Sequence, residues 1–82
     1  MSNVKDLVEL ICRALADYPD GITVSEREHR ETSRIEVTSK PVDFGKLIGR
    51  QGRTAASVRL LAQVEAEREG IRATVDFLDT AK

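Results

Sequence analysis

Two glycines, Gly49 and Gly52, stand three residues apart between two stretches of helix-forming sequence. Glycine tolerates positive φ and lets another molecule approach the backbone closely. A Gly-x-x-Gly turn between two helices therefore exposes peptide N–H groups, and the second helix adds the positive end of its dipole at the same place. Such a turn predicts a phosphate site, but glycines that merely end one helix and begin the next share this spacing. The surrounding residues must decide between the two interpretations.

Charge around this turn is strongly biased. The chain has 13 basic and 14 acidic residues and a net charge of −1, yet no acidic residue lies between Phe44 and Val64. The same segment contains four basic residues, which are Lys46, Arg50, Arg53 and Arg59. This local excess of positive charge favours a phosphate site. The nearly neutral total argues against a protein that coats nucleic acid generally, because such proteins are usually basic.

Length and composition indicate a single small domain over residues 1–82. A chain of 82 residues can bury one small core, and its 40% hydrophobic and 33% charged residues are typical of a globular domain. No apolar run approaches membrane-spanning length, and the N-terminus lacks the features of a signal peptide. We therefore expect a cytoplasmic protein without membrane contact. The single cysteine, Cys12, precludes an internal disulfide and a cysteine-built metal site.

Hydrophobic periodicity predicts six elements in the order α-β-β-α-α-β. They are a helix over 3–17, strands over 22–26 and 34–39, a short helix over 44–48, a helix over 53–69 and a strand over 71–77. We expect Asp43 to cap the short helix, and Val58, Leu61 and Ala62 to face inward from the long one. Residues 79–82 are expected to form a frayed tail. Three helices on one face of a three-stranded mixed sheet make a two-layer α+β sandwich.

No pairing of a nucleophile with a general base is visible in the sequence. His29 is the only histidine, and it lies in the polar connection between the first two strands without a cysteine or second histidine nearby. The nucleotide-binding motifs Gly-x-x-x-x-Gly-Lys-Ser/Thr and Gly-x-Gly-x-x-Gly are both absent. We therefore expect no enzymatic activity, no metal or other cofactor and no small-molecule substrate.

The run Ile48-Gly49-Arg50-Gln51-Gly52-Arg53 resembles the signature loop of the KH domain, with Gly45-Lys46 before it and Ala55 and Arg59 after it. The order of elements is similar to the prokaryotic, type II form of that fold. Length and layout resemble the KhpA family of small bacterial proteins, over nearly the whole chain. The resemblance implies that about four nucleotides of single-stranded RNA bind at the loop and an adjacent aliphatic groove. It also implies an RNA chaperone or post-transcriptional regulator, linked in some bacteria to cell-wall synthesis and cell shape.

The expected RNA-binding residues are Lys46, Leu47, Ile48, Gly49, Arg50, Gln51, Gly52, Arg53, Val37, Val58 and Arg59. Within this set the glycines allow the turn, Arg50 and Gln51 contact phosphates together with backbone N–H groups, and the other basic residues supply a positive field. The aliphatic members form a groove for the bases, with backbone groups of the second strand near Val37 reading base edges. Many KH relatives have an aliphatic residue at the position of Thr54, so we expect a weaker groove wall here.

Few aromatic residues are available for stacking bases, since the chain has only Tyr18, Phe44 and Phe77. RRM and OB folds depend on such residues, so their scarcity favours a KH groove. A protein-interaction module remains an alternative. Leu60 and Val64 lie one helical turn apart and partly off the inward stripe, where they either widen the core or form an association surface. The resemblance implies both a homodimer and a heterodimer with a larger KH-containing partner, KhpB.

Overall fold

The computed structural model describes residues 3–79 and contains the six predicted elements in the predicted order. The helices are α1 (Asn3–Leu15), α2 (Pro41–Ile48) and α3 (Arg53–Arg68), and the strands are β1 (Thr23–His29), β2 (Thr32–Thr38) and β3 (Arg72–Leu78). Two short 3₁₀ turns cover Pro19–Gly21 and Arg50–Gly52. The predicted α+β sandwich is therefore confirmed. None of the helices in this described part is long and apolar enough to cross a membrane.

The sheet has the strand order β1-β2-β3, with β2 in the middle. β1 and β2 form an antiparallel hairpin around a turn at Arg30 and Glu31, and Arg30 takes a positive φ of 56° there. β2 and β3 are parallel, because the chain returns through α2 and α3 before it enters β3. The mixed sheet follows from this crossover, since a parallel neighbour needs a long connection.

The core lies between one face of the sheet and the three helices. Its buried members are spaced one helical turn apart on α1 and α3 and alternate along the strands, which are the two periodicities expected for half-buried elements. Cys12 on α1 is fully buried among them. Burial raises the pKa of the Cys12 thiol to about 11, so it stays protonated and packs as a small hydrophobic group.

The inward stripe of α3 differs from the predicted one at one position. Val58 and Ala62 are buried as expected, but Leu61 is 47% exposed, so its predicted inward orientation is wrong. The buried residues on this helix are Ala55, Val58, Ala62 and Ala66. Three alanines let the helix axis come close to the sheet, and Leu61 lies about 100° around the helix from Ala62. The bulkier side chain is therefore left at the margin of the packed face.

Asp43 does not cap α2 in the way the sequence predicted. The helix begins three residues earlier than predicted, at Pro41, after Lys40 in the N-cap position. The Asp43 side chain is fully buried, and its two carboxylate oxygens accept hydrogen bonds from the backbone N–H groups of Asp17 and Tyr18, each at 2.9 Å. These two amides follow the C-terminal end of α1, so one carboxylate fixes α2 against the chain that leaves α1.

The C-terminal boundary also differs slightly from the prediction. Leu78 belongs to β3, paired with Thr38, and Asp79 follows the strand. Of the expected frayed tail, residues 80–82 lie outside the described part of the chain.

Candidate nucleic-acid interface

The Gly49–Gly52 segment is a sharp turn between two separate helices. α2 ends at Ile48, and the Gly49 N–H donates to the Gly45 carbonyl at 2.8 Å. The Gly52 N–H then donates to the Gly49 carbonyl at 3.1 Å, which closes the turn. Gln51 and Gly52 both have left-handed backbone angles, with φ of 55° and 73°. The chain therefore leaves the helical path and changes direction within four residues before α3 begins.

The turn requires glycine at positions 49 and 52 for two different reasons. Gly49 has a φ of 78°, and a Cβ placed on it would lie 2.2 Å from Thr54 Oγ1 and 2.9 Å from the Thr54 backbone nitrogen. A side chain at Gly49 would therefore overlap the first turn of α3. A Cβ placed on Gly52 would meet no atom within 4 Å, so only the φ of 73° favours glycine there. The space beside Gly52 is open, and another molecule has access to the backbone at this point.

The first amides of α3 have no side-chain acceptor at the N-cap position, because that residue is Gly52. The first N–H groups of a helix lack intrahelical partners and carry the positive end of the dipole. Arg50, Gln51 and Arg53 are exposed beside them. Arg53 Nη2 donates to Gln51 Oε1 at 3.2 Å, so these two side chains lie together over the turn. The arrangement suits an anionic group.

The basic residues predicted to bind RNA differ in whether an acidic side chain already neutralises their charge. Arg50 and Arg53 form no ion pair among the described residues. Lys46, one helical turn before the loop, is paired with Asp17, and this hydrogen bond raises the pKa of the Lys46 ammonium. Its charge is therefore partly balanced. The two arginines provide most of the uncompensated charge at the turn.

Arg59 has a different environment from the loop arginines. Its Nε donates to the Val75 carbonyl of β3 at 3.0 Å, and its guanidinium carbon lies 5.7 Å from the centre of the Phe77 ring. Both contacts hold the side chain along β3. Arg59 is thus brought to the boundary between α3 and β3 and away from the turn itself.

The predicted aliphatic groove is only partly exposed. Ile48 is half-buried, but Leu47, Val37 and Val58 have at most 2% of their surface exposed and belong to the core. Val37 also lies in the central strand, opposite Val24 on one side and Phe77 on the other. Its backbone therefore has a paired strand on both sides. The expectation that backbone groups of β2 near Val37 are free to read base edges is therefore wrong, because neighbouring strands pair with β2 on both sides.

The outer edge of β3 is the feature that the sequence prediction missed. The Arg72 N–H donates to the Glu31 carbonyl on the β2 side, so by alternation the backbone groups of Ala73, Val75 and Phe77 point away from β2. A groove of about 290 Å³ lies between this edge and the second half of α3. The order of the elements could have predicted this free edge, because a hairpin followed by a helical crossover places the second strand in the middle of the sheet and the third at its border.

The chain matches the family model described as KhpA/KhpB, KH domain, over residues 5–77. The chain belongs to this family. It is 41% identical over 76 residues to RNA-binding protein KhpA from Halalkalibacterium halodurans, covering 93% of this chain and all of the relative. It is 37% identical over 79 residues to RNA-binding protein KhpA from Aquifex aeolicus, covering 96% of this chain and all of the relative.

A third relative is RNA-binding protein KhpA from Mycobacterium tuberculosis strain H37Rv, which is 43% identical over 77 residues and covers 94% of this chain and 92% of the relative. Comparison with solved structures gave no significant match. The predicted KH fold and family are thereby confirmed. The family is non-enzymatic, which agrees with the lack of a catalytic constellation in the sequence.

Proposed function

We propose that this chain binds single-stranded RNA at the Gly49–Gly52 turn. The observation that carries the proposal is the turn itself, where left-handed backbone and a helix N-terminus without a side-chain cap coincide with two arginines that form no ion pair within residues 3–79. Backbone N–H groups and a helix dipole favour a phosphate at such a place. The KH relatives described above are named RNA-binding proteins, which supports RNA as the anion.

At the turn, the phosphates of the RNA contact the exposed side chains of Arg50 and Gln51 and the amides that lead into α3. Arg53 lies next to them through its hydrogen bond to Gln51. An arginine guanidinium binds phosphate with two parallel hydrogen bonds, so the loop arginines fix the position of the backbone. Lys46 contributes less, because Asp17 already neutralises part of its charge.

From the turn, the bases follow the boundary between the first half of α3 and the C-terminal half of the outer edge of β3, where Arg59 contacts Val75 and Phe77. Only Gly70 and Ile71 separate α3 from β3 after Glu69, so β3 runs back along the helix and its C-terminal end lies towards the turn. The outward backbone groups of Phe77 and the N–H of Val75 replace those near Val37 as the groups that read base edges, while the Val75 carbonyl already accepts a hydrogen bond from Arg59. Arg59, stacked on Phe77, forms the middle of this wall.

The biological role that we propose follows from this mode of RNA binding. A grip through phosphates and a few base edges is short and only weakly selective. Such a site suits an RNA chaperone or post-transcriptional regulator that meets many transcripts in the cytoplasm, with effects on cell-wall synthesis and cell shape as downstream consequences. One domain of this size binds weakly, so pairing with a second KH domain would raise the effective concentration.

Replacing Arg50 and Gln51 together by Asp tests the proposal. Both side chains are exposed, so we expect the thermal midpoint of unfolding to stay unchanged while affinity for a single-stranded oligoribonucleotide falls at least tenfold. The measurement is fluorescence anisotropy with a labelled 12-nucleotide oligouridylate. The control variant Lys40→Asp/Thr23→Asp changes the net charge equally at exposed positions away from the turn. Equal affinity of the test and control variants would refute the loop site.

A second proposal concerns an exposed apolar face on α3. Leu60, Leu61 and Val64 are 61%, 47% and 50% exposed, which disfavours the alternative that Leu60 and Val64 only widen the core. We propose that a second copy of this chain covers the face, with the two α3 helices antiparallel. The first half of α3 carries Arg53 and Arg59 and no acid, and the second half carries Glu65 and Glu67, so antiparallel pairing brings opposite charges together.

Molecular mass in solution tests the self-association. We expect the wild-type chain to elute with close to twice its 9.1 kDa mass, and Leu60→Glu/Val64→Glu to be monomeric, by size-exclusion chromatography with light scattering. Leu10→Glu/Val42→Glu makes the same chemical change at exposed residues of α1 and α2 and should stay dimeric. A monomeric wild type that associates only with a KhpB-like chain would replace the homodimer by the heterodimer.

A further inference from the structure

The sheet face turned away from the helices carries a basic cluster at one end. Along the three strands, the outward side chains alternate with the buried ones, and the register places them in rows across the sheet. The row next to the hairpin turn is His29, Thr32 and Arg72, and the following row is Arg27, Arg34 and Thr74. All six of these residues are exposed. We call these two rows the basic rows.

The arginines of the basic rows are close together and mostly unpaired. Arg27 lies directly opposite Arg34 in the antiparallel hairpin, a position that brings Cβ atoms to about 5 Å. Arg72 is the diagonal neighbour of Arg34 across the β2–β3 pair. Arg34 has one counter-ion, Asp76 at 3.6 Å, whereas Arg27 and Arg72 form no ion pair among residues 3–79.

Like charges directly opposite each other on a sheet cost stability. The cost is removed when an anion lies between the two guanidinium groups, since each can donate two hydrogen bonds to one phosphate. Thr32 and Thr74 place hydroxyl donors in the same rows. The basic rows thus combine three guanidinium groups and two hydroxyls on an open, flat surface, which is the composition of a phosphate-binding face.

The helix side of the same sheet end has the opposite charge. Glu26 of β1 lies on that side, near Glu65 and Glu69 of α3. The pKa of the Glu69 carboxyl is raised, mainly because its protonated form donates a hydrogen bond to Glu65, and desolvation and repulsion from Glu65 and Glu26 add to this. At this end of the sheet, a polyanion is therefore favoured on the open face over the helix side. On the open face the next row is Ser25, Glu36 and Asp76, so the excess of positive charge is confined to the basic rows.

We propose that the basic rows bind the phosphate backbone of a second single-stranded RNA segment, distinct from the one at the Gly49–Gly52 turn. The basic rows lie on the opposite face of the sheet and at the N-terminal end of β3, whereas the turn lies towards its C-terminal end. β3 alone spans about 20 Å over its seven residues. Because the two sites face opposite sides of the sheet and lie near opposite ends of β3, a single chain holds two RNA segments at once.

The second site binds RNA without discriminating between nucleotide sequences. The strand residues that face outward on this side include no phenylalanine, tyrosine or tryptophan, and His29 is the one ring among them, so phosphate contacts outweigh base stacking there. Binding comes from phosphate neutralisation and depends steeply on salt. This site goes beyond the proposed loop function and does not require it, because a chain with a disabled turn still has the basic rows.

The experiment compares salt dependence in two variants with equal charge. Arg27→Ser/Arg72→Ser removes two contacts but keeps the Arg34–Asp76 pair, and it relieves the repulsion between Arg27 and Arg34, so folding is preserved. With a 24-nucleotide oligouridylate, we expect the slope of log affinity against log salt to become shallower by about 1.4. Lys40→Ser/Arg68→Ser loses the same charge off this face and should leave the slope nearly unchanged.

A second measurement separates this site from the turn. In the Arg50→Asp/Gln51→Asp background, the same oligouridylate should still shift the backbone amide resonances of residues 27, 34 and 72, and adding Arg27→Ser/Arg72→Ser should abolish those shifts. Absence of these shifts in the Arg50→Asp/Gln51→Asp background would overturn the proposal. An equal change of the salt slope in Arg27→Ser/Arg72→Ser and in the Lys40→Ser/Arg68→Ser control would overturn it as well. Loss of all binding in the Arg50→Asp/Gln51→Asp background would leave the loop site as the sole RNA site and overturn it equally.

Discussion

The two ends of α2 are built in opposite ways. At its beginning, the buried Asp43 carboxylate satisfies two backbone amides beyond α1, and the polar groups there are matched. At its end, the turn at Gly49–Gly52 leaves amides and the side chains of Arg50 and Gln51 exposed, with no acidic partner in the described part of the chain. One end fixes the helix against the fold, and the other presents groups to a ligand. Changes at the first end should therefore act on stability, and those at the second on binding.

The largest effect is expected from Asp43→Ala. Removing the carboxylate leaves the amides of Asp17 and Tyr18 without acceptors in a partly buried place, which should cost about 3 to 4 kcal/mol of unfolding free energy. Asp43→Asn keeps one acceptor oxygen and should cost less than half of that. Urea unfolding followed by circular dichroism measures both. A loss below about 1 kcal/mol for Asp43→Ala would show that this end of α2 is not the anchor.

The next largest effect is a difference in unfolding free energy between alanine substitutions at the two glycines of the turn. Gly49→Ala combines a strained φ with overlap against Thr54 and should cost about 2 to 3 kcal/mol, whereas Gly52→Ala has only the strained φ and should cost about 1 kcal/mol. Thr54→Ala removes the closest overlapping atom, so it should recover part of the loss in the Gly49→Ala background. Equal costs for the two glycine variants in urea unfolding would contradict this description of the turn.

The smallest effect concerns the neighbouring acids on the helix side. The pKa of Glu69 is raised, so the folded state takes up its proton more readily than the unfolded chain, and this contribution to stability is lost as the pH rises through the folded pKa. Glu69→Gln should therefore raise the urea midpoint slightly at pH 7 and have no such benefit near pH 3. A benefit that is larger at pH 3 would reverse the sign of this electrostatic account.

Much of the fold and of the loop could be predicted because local patterns determine them. The period of apolar residues located each helix and strand, and Gly49 and Gly52 marked the turn that ends α2. The buried role of Asp43 could not be predicted, because its partners are amides about 25 residues away in sequence. The burial of Val37 and the exposure of Leu61 depend on which strand is central and how closely α3 approaches the sheet, and both are tertiary properties.

The most direct test of the central claim is an amide chemical-shift titration of the full chain with a 12-nucleotide oligouridylate. If the turn between α2 and α3 holds RNA phosphates, the amide resonances of Gly49, Arg50, Gln51 and Gly52 should show the largest low-field shifts and saturate together. Addition of salt should reverse them. If RNA binds while these four resonances stay in place, the turn is not the RNA site.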